Sequence, residues 1–544
     1  MNDMEIDNLS KEELLDIVKG LDAGTLLWKK YSEDIFENYI EMIPMLKNIK
    51  ELNLLNEESN KNNLLVEADN YEGLGSLINI YKNKIDFIYI DPPYNTGNDF
   101  IYKDKLVATD DPFKHSKWLS FMEPRLRMAY DLLSKKGVLI CSINHIELEY
   151  LKLLFNKIFK KQNTEILVWH KPVKMKQTNS FKDEHEYLIV GYKDKKETKL
   201  NRPKRKGQLK STQLSNPDND ERGPWHDGEL TKTKSKWNTD SKKYYSVKNP
   251  KGKLFEAEFT IYKQEYELLE KDNRIFWTKN GDGLPRRKMW PNEPKERTPS
   301  TVLSEETLYH KGFTQTDGNK DLENIFGKPH QEVFEFPKPV ELIKWLIETC
   351  SSENSIILDF FAGSGTTAQA VLELNRDLNS SRKFILITNN ENNIATDVTL
   401  KRIKKVINGF KGFVTKELHE KCDENLLYYR IEPASNKKID FSLRELAKKS
   451  PDTLFLIENT PIKKVVKNDY QIYQDCFNNH TLVLFDHNKL NDALSYIPNS
   501  KLNLNIYFFT LDLEVEITDE LKKLESKYNL KIDKFPLKMS SPKF

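Results

Sequence analysis

Asp86-Phe87-Ile88-Tyr89-Ile90-Asp91-Pro92-Pro93-Tyr94 opens with a short apolar run and closes on two prolines and a tyrosine. The run has the length and the bounded character of a central strand in a parallel sheet. Proline can neither continue a helix nor donate to a ladder, so the chain must stop and turn after Asp91. Without amide hydrogens on Pro92 and Pro93, the carbonyls of Asp91 and Pro92 stand beside an ionised carboxylate in a corner made of acceptors alone. Such a corner suits an amino group, and Tyr94 offers a flat face at its mouth for a planar ring. These residues predict a grip for an exocyclic amine on an aromatic heterocycle. A Pro-rich turn with Tyr94 as a packing residue is the plainer reading, and a second motif weighs against it.

That motif is Ile356-Ile357-Leu358-Asp359-Phe360-Phe361-Ala362-Gly363-Ser364-Gly365-Thr366-Thr367, a strand, an acid and a glycine turn leading into a helix from Ala368 to Leu374. Two strand-to-turn sites predict one open α/β sheet with a ligand at the carboxyl ends of its strands. The turn lacks the lysine of a P-loop, which disfavours a triphosphate. It fits a lax dinucleotide signature, G-x-G-x-x-A, but Asp359 just ahead of the glycines would repel a pyrophosphate and attract a cationic amino-acid moiety.

Three further stretches fall at the same edge of the expected sheet. Leu64 to Asn70 reads as a strand that ends in an acid, with a helix from Tyr71 to about Tyr81 between it and the Asp91 strand. This βαβ unit makes Asp69 and Asn70 candidate ligand contacts, and Asp69 equally a helix N-cap. Lys338, presented between Pro337 and Pro339, can pair with a ligand carboxylate or be an ordinary surface lysine. The strand Phe384 to Thr388 ends at Asn389-Asn390-Glu391, whose side chains can accept ribose hydroxyls. The polar loop from Asn95 to about Ser116 is a candidate lid or substrate-contacting loop. His185, ahead of the strand Glu186 to Val190, is given no role.

The 544-residue chain carries 38% hydrophobic residues, enough for several packed cores. No apolar run approaches a membrane span and the first residues are acidic, so no membrane association is expected and a cytoplasmic location is. The four cysteines are scattered, which points to neither a disulfide framework nor a metal site. The formal net charge is only +2, yet residues 201–300 hold 23 Lys+Arg against 15 Asp+Glu. Trp225, Trp237, Tyr244, Tyr245, Phe259, Tyr266, Trp277 and Trp290 are interleaved with those charges. Residues 193–330 are therefore expected to be a β-rich, nucleic-acid-reading insertion, the alternative being a loop-rich insertion whose aromatics form its own core. It divides the stretch with the Asp91 corner (61–192) from the stretch with the glycine turn (331–414). Residues 1–60 are expected to be helical, from a capping box at Ser10 and from Met42, Ile43, Leu46 and Ile49 at helical spacing. Residues 415–544 are expected to form a small α/β domain with strands at 454–457, 481–485 and 505–509.

With both motifs in hand, the pairing of Asp91-Pro92-Pro93-Tyr94 with Phe361-Ala362-Gly363-Ser364-Gly365 resembles the S-adenosylmethionine-dependent amino-methyltransferases of DNA. The order of catalytic motif, basic insertion and cofactor motif resembles their β group. The run from Asp91 to Phe100, the segment Phe336-Pro337-Lys338-Pro339 and the stretch from Glu424 to Tyr429 narrow the resemblance to the modification (Mod) subunits of type III restriction-modification systems. It covers roughly residues 60–430. The resemblance implies a Rossmann-like methyltransferase sheet with an inserted target-recognition domain, and transfer of a methyl group to N6 of a flipped-out adenine in double-stranded DNA. Asp91, Pro92 and Tyr94 would be catalytic, and Pro93 and Tyr94 would hold the base. S-adenosylmethionine would lie against Asp359, Phe361, Ala362, Gly363, Ser364, Gly365, Thr366 and Thr367. Asp69 and Asn70 would lie near its adenine, Phe336 and Lys338 near its carboxylate, and Asn389, Asn390 and Glu391 near its ribose. A homodimer and a partner restriction (Res) subunit are further implications. Methylation of RNA or of a protein glutamine, and a non-catalytic DNA-recognition subunit, are the competing functions.

Overall fold

The computed structural model describes residues 28, 44–56, 59, 61–97, 101–102, 105–172, 181–206, 214–290, 294–296, 298–308, 312–433, 462–467, 469–475, 478–498, 502–508, 524 and 527–534. Residues 202–298 and 305–311 form one compact unit and the remainder another.

The larger unit carries, in chain order, β1 (Pro44–Asn48), β2 (Asn62–Glu67), α1 (Asn70–Tyr81), β3 (Ile85–Ile90), α2 (Lys114–Leu132), β4 (Leu133–Ile143), α3 (Leu148–Phe159), β5 (Thr164–His170), β6 (His185–Tyr192) and β7 (Val302–Leu303). It continues with α4 (Gln315–Phe326), α5 (Val340–Cys350), β8 (Ile356–Asp359), α6 (Thr366–Leu378), β9 (Lys383–Thr388), α7 (Leu400–Asn408) and β10 (Asn425–Pro433). The strands make one sheet in the order β1-β10-β2-β9-β8-β3-β4-β6-β5-β7. From β10 to β4 all neighbours are parallel. Strands covered on both faces must be apolar on both, and Leu64 to Val66, Phe87 to Ile90 and Phe384 to Ile387 are all buried. Each large side chain so buried contributes about 1.5–3 kcal/mol.

The order of strands positions the site. From β3 the chain moves outward to β4, whereas from β8 it moves the opposite way to β9, so β3 and β8 flank a topological switch point. A crevice opens outside the carboxyl ends of strands at such a point. Leu358 of β8 lies opposite Ile88 of β3. The pairing is fixed at its entrance by Asp86, whose carboxylate accepts from the Ile356 amide and the Ser134 hydroxyl, both at 3.1 Å. The Asp91-Pro92-Pro93-Tyr94 turn and the glycine turn thus leave neighbouring strands in the same direction.

Some boundaries differ from those expected. The described part of the N-terminal segment is not helical: Pro44–Asn48 is a strand paired antiparallel with β10, and Lys50–Leu52 is a single 3-10 turn. The apolar spacing there fits a helix, but Pro44 disfavours a helix interior and β10 offers an edge to pair with. Residue 415 is not the start of a separate domain, since β10 lies inside the main sheet between β1 and β2. Beyond it, Ile462–Val466, Tyr470–Gln474, His480–Leu484, Asn503–Phe508 and Asn529–Lys534 form a five-stranded sheet in sequence order. Its core includes Tyr470, Ile472, Leu482, Leu504 and Ile506. The expected strand at 454–457 lies outside the described residues.

The smaller unit is β-rich and narrower than 193–330. His226–Glu229, Pro285–Met289 and Ile275–Trp277 make a three-stranded antiparallel sheet, and Tyr244–Lys248 pairs with Leu254–Glu258. Phe259, Tyr266 and Trp277 are buried in its core, with Tyr245 stacked on Phe259 at 4.2 Å between centroids. These aromatics are therefore structural. Lys234, Lys236, Lys242 and Lys248 are exposed. No helix among the described residues is long and apolar enough to cross a membrane.

Candidate functional site

Asp91 follows β3 directly, and each of its carboxylate oxygens has a partner. The Tyr94 hydroxyl donates to Oδ1 at 2.8 Å and stands 3.3 Å from Glu186 Oε2. Lys338 Nζ donates to Oδ2 at 2.5 Å and lies 5.3 Å from the centre of the Tyr94 ring. The residue expected near the cofactor carboxylate is thus paired with Asp91. Lys338 is only 9% exposed, because its segment packs against Gly318 of α4: a Cβ there would lie 2.4 Å from the Pro337 carbonyl oxygen. Gln315 Nε2 donates to that carbonyl at 2.8 Å, and the Val340 amide donates to Asp321 at 3.0 Å. Burial and the neighbouring Asp91 carboxylate push the Tyr94 phenol well above its ordinary range. Its hydroxyl stays protonated and can donate.

The carbonyls of the two prolines differ. Trp118 of α2 donates its indole N–H to the Pro93 oxygen at 2.8 Å. Among the described residues nothing donates to the Pro92 oxygen, which remains an available acceptor next to Asp91.

On β8, Asp359 is buried and accepts from the Phe361 amide at 3.0 Å and from Thr367 Oγ1 at 2.6 Å. Both bonds favour the carboxylate, but burial, aided by the charge of Asp91, outweighs them and pushes the group up to about 7. The turn that follows is held from beneath by α7 and the residue before it. Thr399 Oγ1 donates to the Gly363 carbonyl at 2.6 Å. Arg402, fully buried, donates to Ser364 Oγ and Thr366 Oγ1 at 3.0 Å each and to Gln369 Oε1 at 2.8 Å. Gly363 and Gly365 have φ of +46° and +79°, which side-chain-bearing residues rarely adopt. A Cβ at Gly363 would lie 3.0 Å from the Phe334 ring.

Asp69 caps α1, accepting from the Tyr71 amide at 2.7 Å. Arg125 of α2 spans Asp69 and Asn70, at 3.4 Å and 2.5 Å, and its guanidinium lies 3.7 Å from the centre of the Phe121 ring. Phe121 in turn lies 6.0 Å from the Phe361 ring. Asn389, Asn390 and Glu391 follow β9, whose end is joined to β2 by the Ala68 amide and the Thr388 carbonyl at 3.0 Å. Asn390 is committed locally, since its side-chain oxygen accepts from the Thr396 amide at 3.2 Å. Asn389 and Glu391 are exposed, as is Phe336 at 64%.

Several residues at the site carried no sequence signal. Glu186 and its partner Lys171 come from the β5–β6 hairpin, whose register alone brings Glu186 to Tyr94. Trp118, Arg125, Thr399 and Arg402 lie on or beside helices, where spacing shows a buried face but not what a polar group on it touches. Phe334, two residues before Phe336, lay nearest to a recognisable motif.

A family model described as DNA methylase matches residues 85–399, more than half of the chain. The chain belongs to that family, which accounts for the two turns meeting at one switch point. Among individual proteins it is similar to the type III restriction-modification enzyme StyLTI Mod subunit of Salmonella typhimurium, with 31% identity over 362 residues covering 62% of this chain and 54% of that one. The EcoPI Mod subunit of Escherichia phage P1 is 29% identical over 449 residues, 70% of this chain and 67% of that one. The type II methyltransferase M.KpnI of Klebsiella pneumoniae is 29% identical over 421 residues, 71% of this chain and 95% of that one. The chain thus spans about half the length of the StyLTI subunit.

Proposed function

We propose that this chain is a DNA methyltransferase that uses S-adenosylmethionine to methylate the exocyclic N6 amino group of adenine in double-stranded DNA, as the modification subunit of a type III restriction-modification system. The observation that carries the reading is the adjacency of β3 and β8, which brings the acceptor corner of Asp91 and the glycine turn after Asp359 to one switch point. The residues fit the cofactor: two positive-φ glycines leave the backbone bare for close approach, and Asp359 offers a buried carboxyl for a cationic amino group. When bound, the cofactor supplies an electrophilic methyl group.

The remaining chemistry belongs to the chain. Adenine's amino lone pair is delocalised into the ring, which makes the nitrogen a poor nucleophile. Asp91 and the Pro92 carbonyl accept hydrogen bonds from its two N–H groups and let the nitrogen turn its lone pair out of the ring plane; once methylated, the nitrogen sheds its surplus proton along the Asp91 hydrogen bond to solvent. Tyr94 and Pro93 stack on the base, which must leave the duplex to reach them. Asp69 and Asn70, braced by Arg125, contact the cofactor's adenine; Asn389 and Glu391 contact its ribose. Lys338 pairs with its carboxylate, moving from Asp91 to do so, beside Phe336. The smaller unit, with its exposed lysines, reads the DNA. A homodimer and a restriction-subunit partner complete the proposal.

Sequencing modified bases in DNA from cells that express only this chain tests it. N6-methyladenine in one short sequence motif, lost with Asp91→Ala, is expected. N4-methylcytosine, which the same acceptor corner could produce, would overturn the adenine assignment, and no DNA modification would overturn the function.

A further inference from the structure

The residue behind Tyr94 is held in an unusual way. Asn95 has a left-handed backbone, with φ of +58°, and is 1% exposed. Its Nδ2 donates to Glu147 Oε1 at 2.5 Å and to the Lys114 carbonyl at 3.3 Å. Glu147, the residue before α3, is completely buried, and its Oε1 also lies 2.7 Å from His115 Nδ1. The His115 ring is stacked on Tyr150 at 4.3 Å. Two donors therefore converge on one carboxyl oxygen. Glu147 Oε2 and Asn95 Oδ1 are both buried and have no hydrogen-bond partner among the described residues.

With Glu147 ionised, both of those atoms are acceptors facing a buried environment, a costly arrangement. One proton on Oε2 removes the conflict. The acid can then exchange two hydrogen bonds with the carboxamide, and the half already in place, Nδ2 to Oε1, leaves Oδ1 as the matching acceptor. We propose that Glu147 is a positioning residue that works as the neutral acid, donating from Oε2 to Asn95 Oδ1, and so locks the left-handed turn that holds Tyr94 against Asp91. Trp118 supports the same turn through the Pro93 carbonyl, so both flanks of the motif are anchored to α2 or its neighbour.

The charged and titratable groups facing Glu147 are His115 and Lys114 of α2. Burial is the largest influence on the carboxyl and raises it, while Asn95, His115 and Lys114 oppose that rise. A neutral imidazole still donates from Nδ1 when the proton sits there. Because the folded value is raised, the lock is complete below the ordinary carboxylate range and is lost as pH rises through the raised value.

The inference rests on the methyltransferase reading only for its activity readout. The full chain is compared with Glu147→Gln and Glu147→Ala, measuring kcat and KM for DNA across pH together with the infrared band of a protonated carboxyl group. Glutamine reproduces the donor and acceptor of the neutral acid. The Gln variant should therefore stay within about threefold of the unaltered chain and lose the decline that the unaltered chain shows as pH rises through the raised value, while the Ala variant falls roughly 10- to 100-fold in kcat. Asp321 and Asp359 contribute protonated carboxyls of their own, so the band is read in the difference spectrum: the unaltered chain minus the Gln variant should leave one protonated-carboxyl component, that of Glu147. Equal loss in the Gln and Ala variants, full activity in the Ala variant, or no such band would each overturn the proposal. If the Ala variant fails to fold, the band and the Gln pH profile still decide. If the unaltered chain transfers no methyl group, the function has failed, and the band alone then judges Glu147.

Discussion

Asp359 illustrates how much a single side chain's surroundings matter. Its identity, an acid just before a glycine turn, was legible, and a permanent charge was the natural expectation. Burial and the nearby Asp91 change that, moving its titration up to about 7. A cation bound beside it favours the ionised form, so affinity for S-adenosylmethionine should rise with pH through about 7. Calorimetry in buffers of different ionisation enthalpy should show proton release, and a pH-independent affinity would contradict the assignment. The sign for stability is the reverse. Asp321, half-buried and accepting from the first amide of α5, is also raised to about 7 by desolvation, so the ligand-free protein should lose stability as pH climbs from the ordinary carboxylate range through that value. Denaturant titrations across that range would check it. Lys338 was legible as a presented cation but not as the partner of Asp91, because a contact between residues so far apart in sequence has no local signature.

At the scale of elements, the strands were readable because a parallel sheet demands apolar residues on both faces and turns at its edges. Registers were not. Glu186 reaches Tyr94 only because the β5–β6 hairpin pairs Trp169 with Glu186, a detail no periodicity encodes. The glycine turn is a second case: its residues were recognised, its support from α7 was not. Replacing Gly365 with alanine forces a side chain into a φ of +79° beside Thr399 and should cost about 1–2 kcal/mol. Thermal unfolding would detect this, together with weaker cofactor binding; an unchanged melting temperature would mean the turn tolerates a side chain. Arg402→Met should leave Ser364 and Thr366 without their common donor and weaken cofactor affinity more than stability. Loss of both in equal measure would make Arg402 a packing residue only.

For the whole molecule, composition located the insertion but placed its edges too wide, and it could not see that β10 closes the sheet from the far side of the glycine motif. Strand pairing between residues 62–67 and 425–430 is a long-range fact. A chain ending at residue 414 should therefore fail to give a soluble, cooperatively unfolding product, whereas one ending near residue 440 should keep the main sheet. Cooperative unfolding of the shorter chain would remove β10 from the fold's requirements. The exposed lysines of the smaller unit bear on DNA affinity in the same global way. Removing Lys234 and Lys236 should reduce the salt dependence of DNA binding, by roughly 0.9 in logarithmic slope for each phosphate that is no longer neutralised.

All of these assignments depend on the turn after β3 and the turn after β8 serving one reaction. Transfer of a tritiated methyl group from S-adenosylmethionine to duplex DNA, run beside cofactor binding on Asp91→Ala and Asp359→Ala, tests it most directly. We predict that the Asp91 variant binds cofactor but transfers no label, and that the Asp359 variant loses binding and transfer together. Label that persists on DNA with Asp91→Ala, or undiminished cofactor binding with Asp359→Ala, would contradict the account.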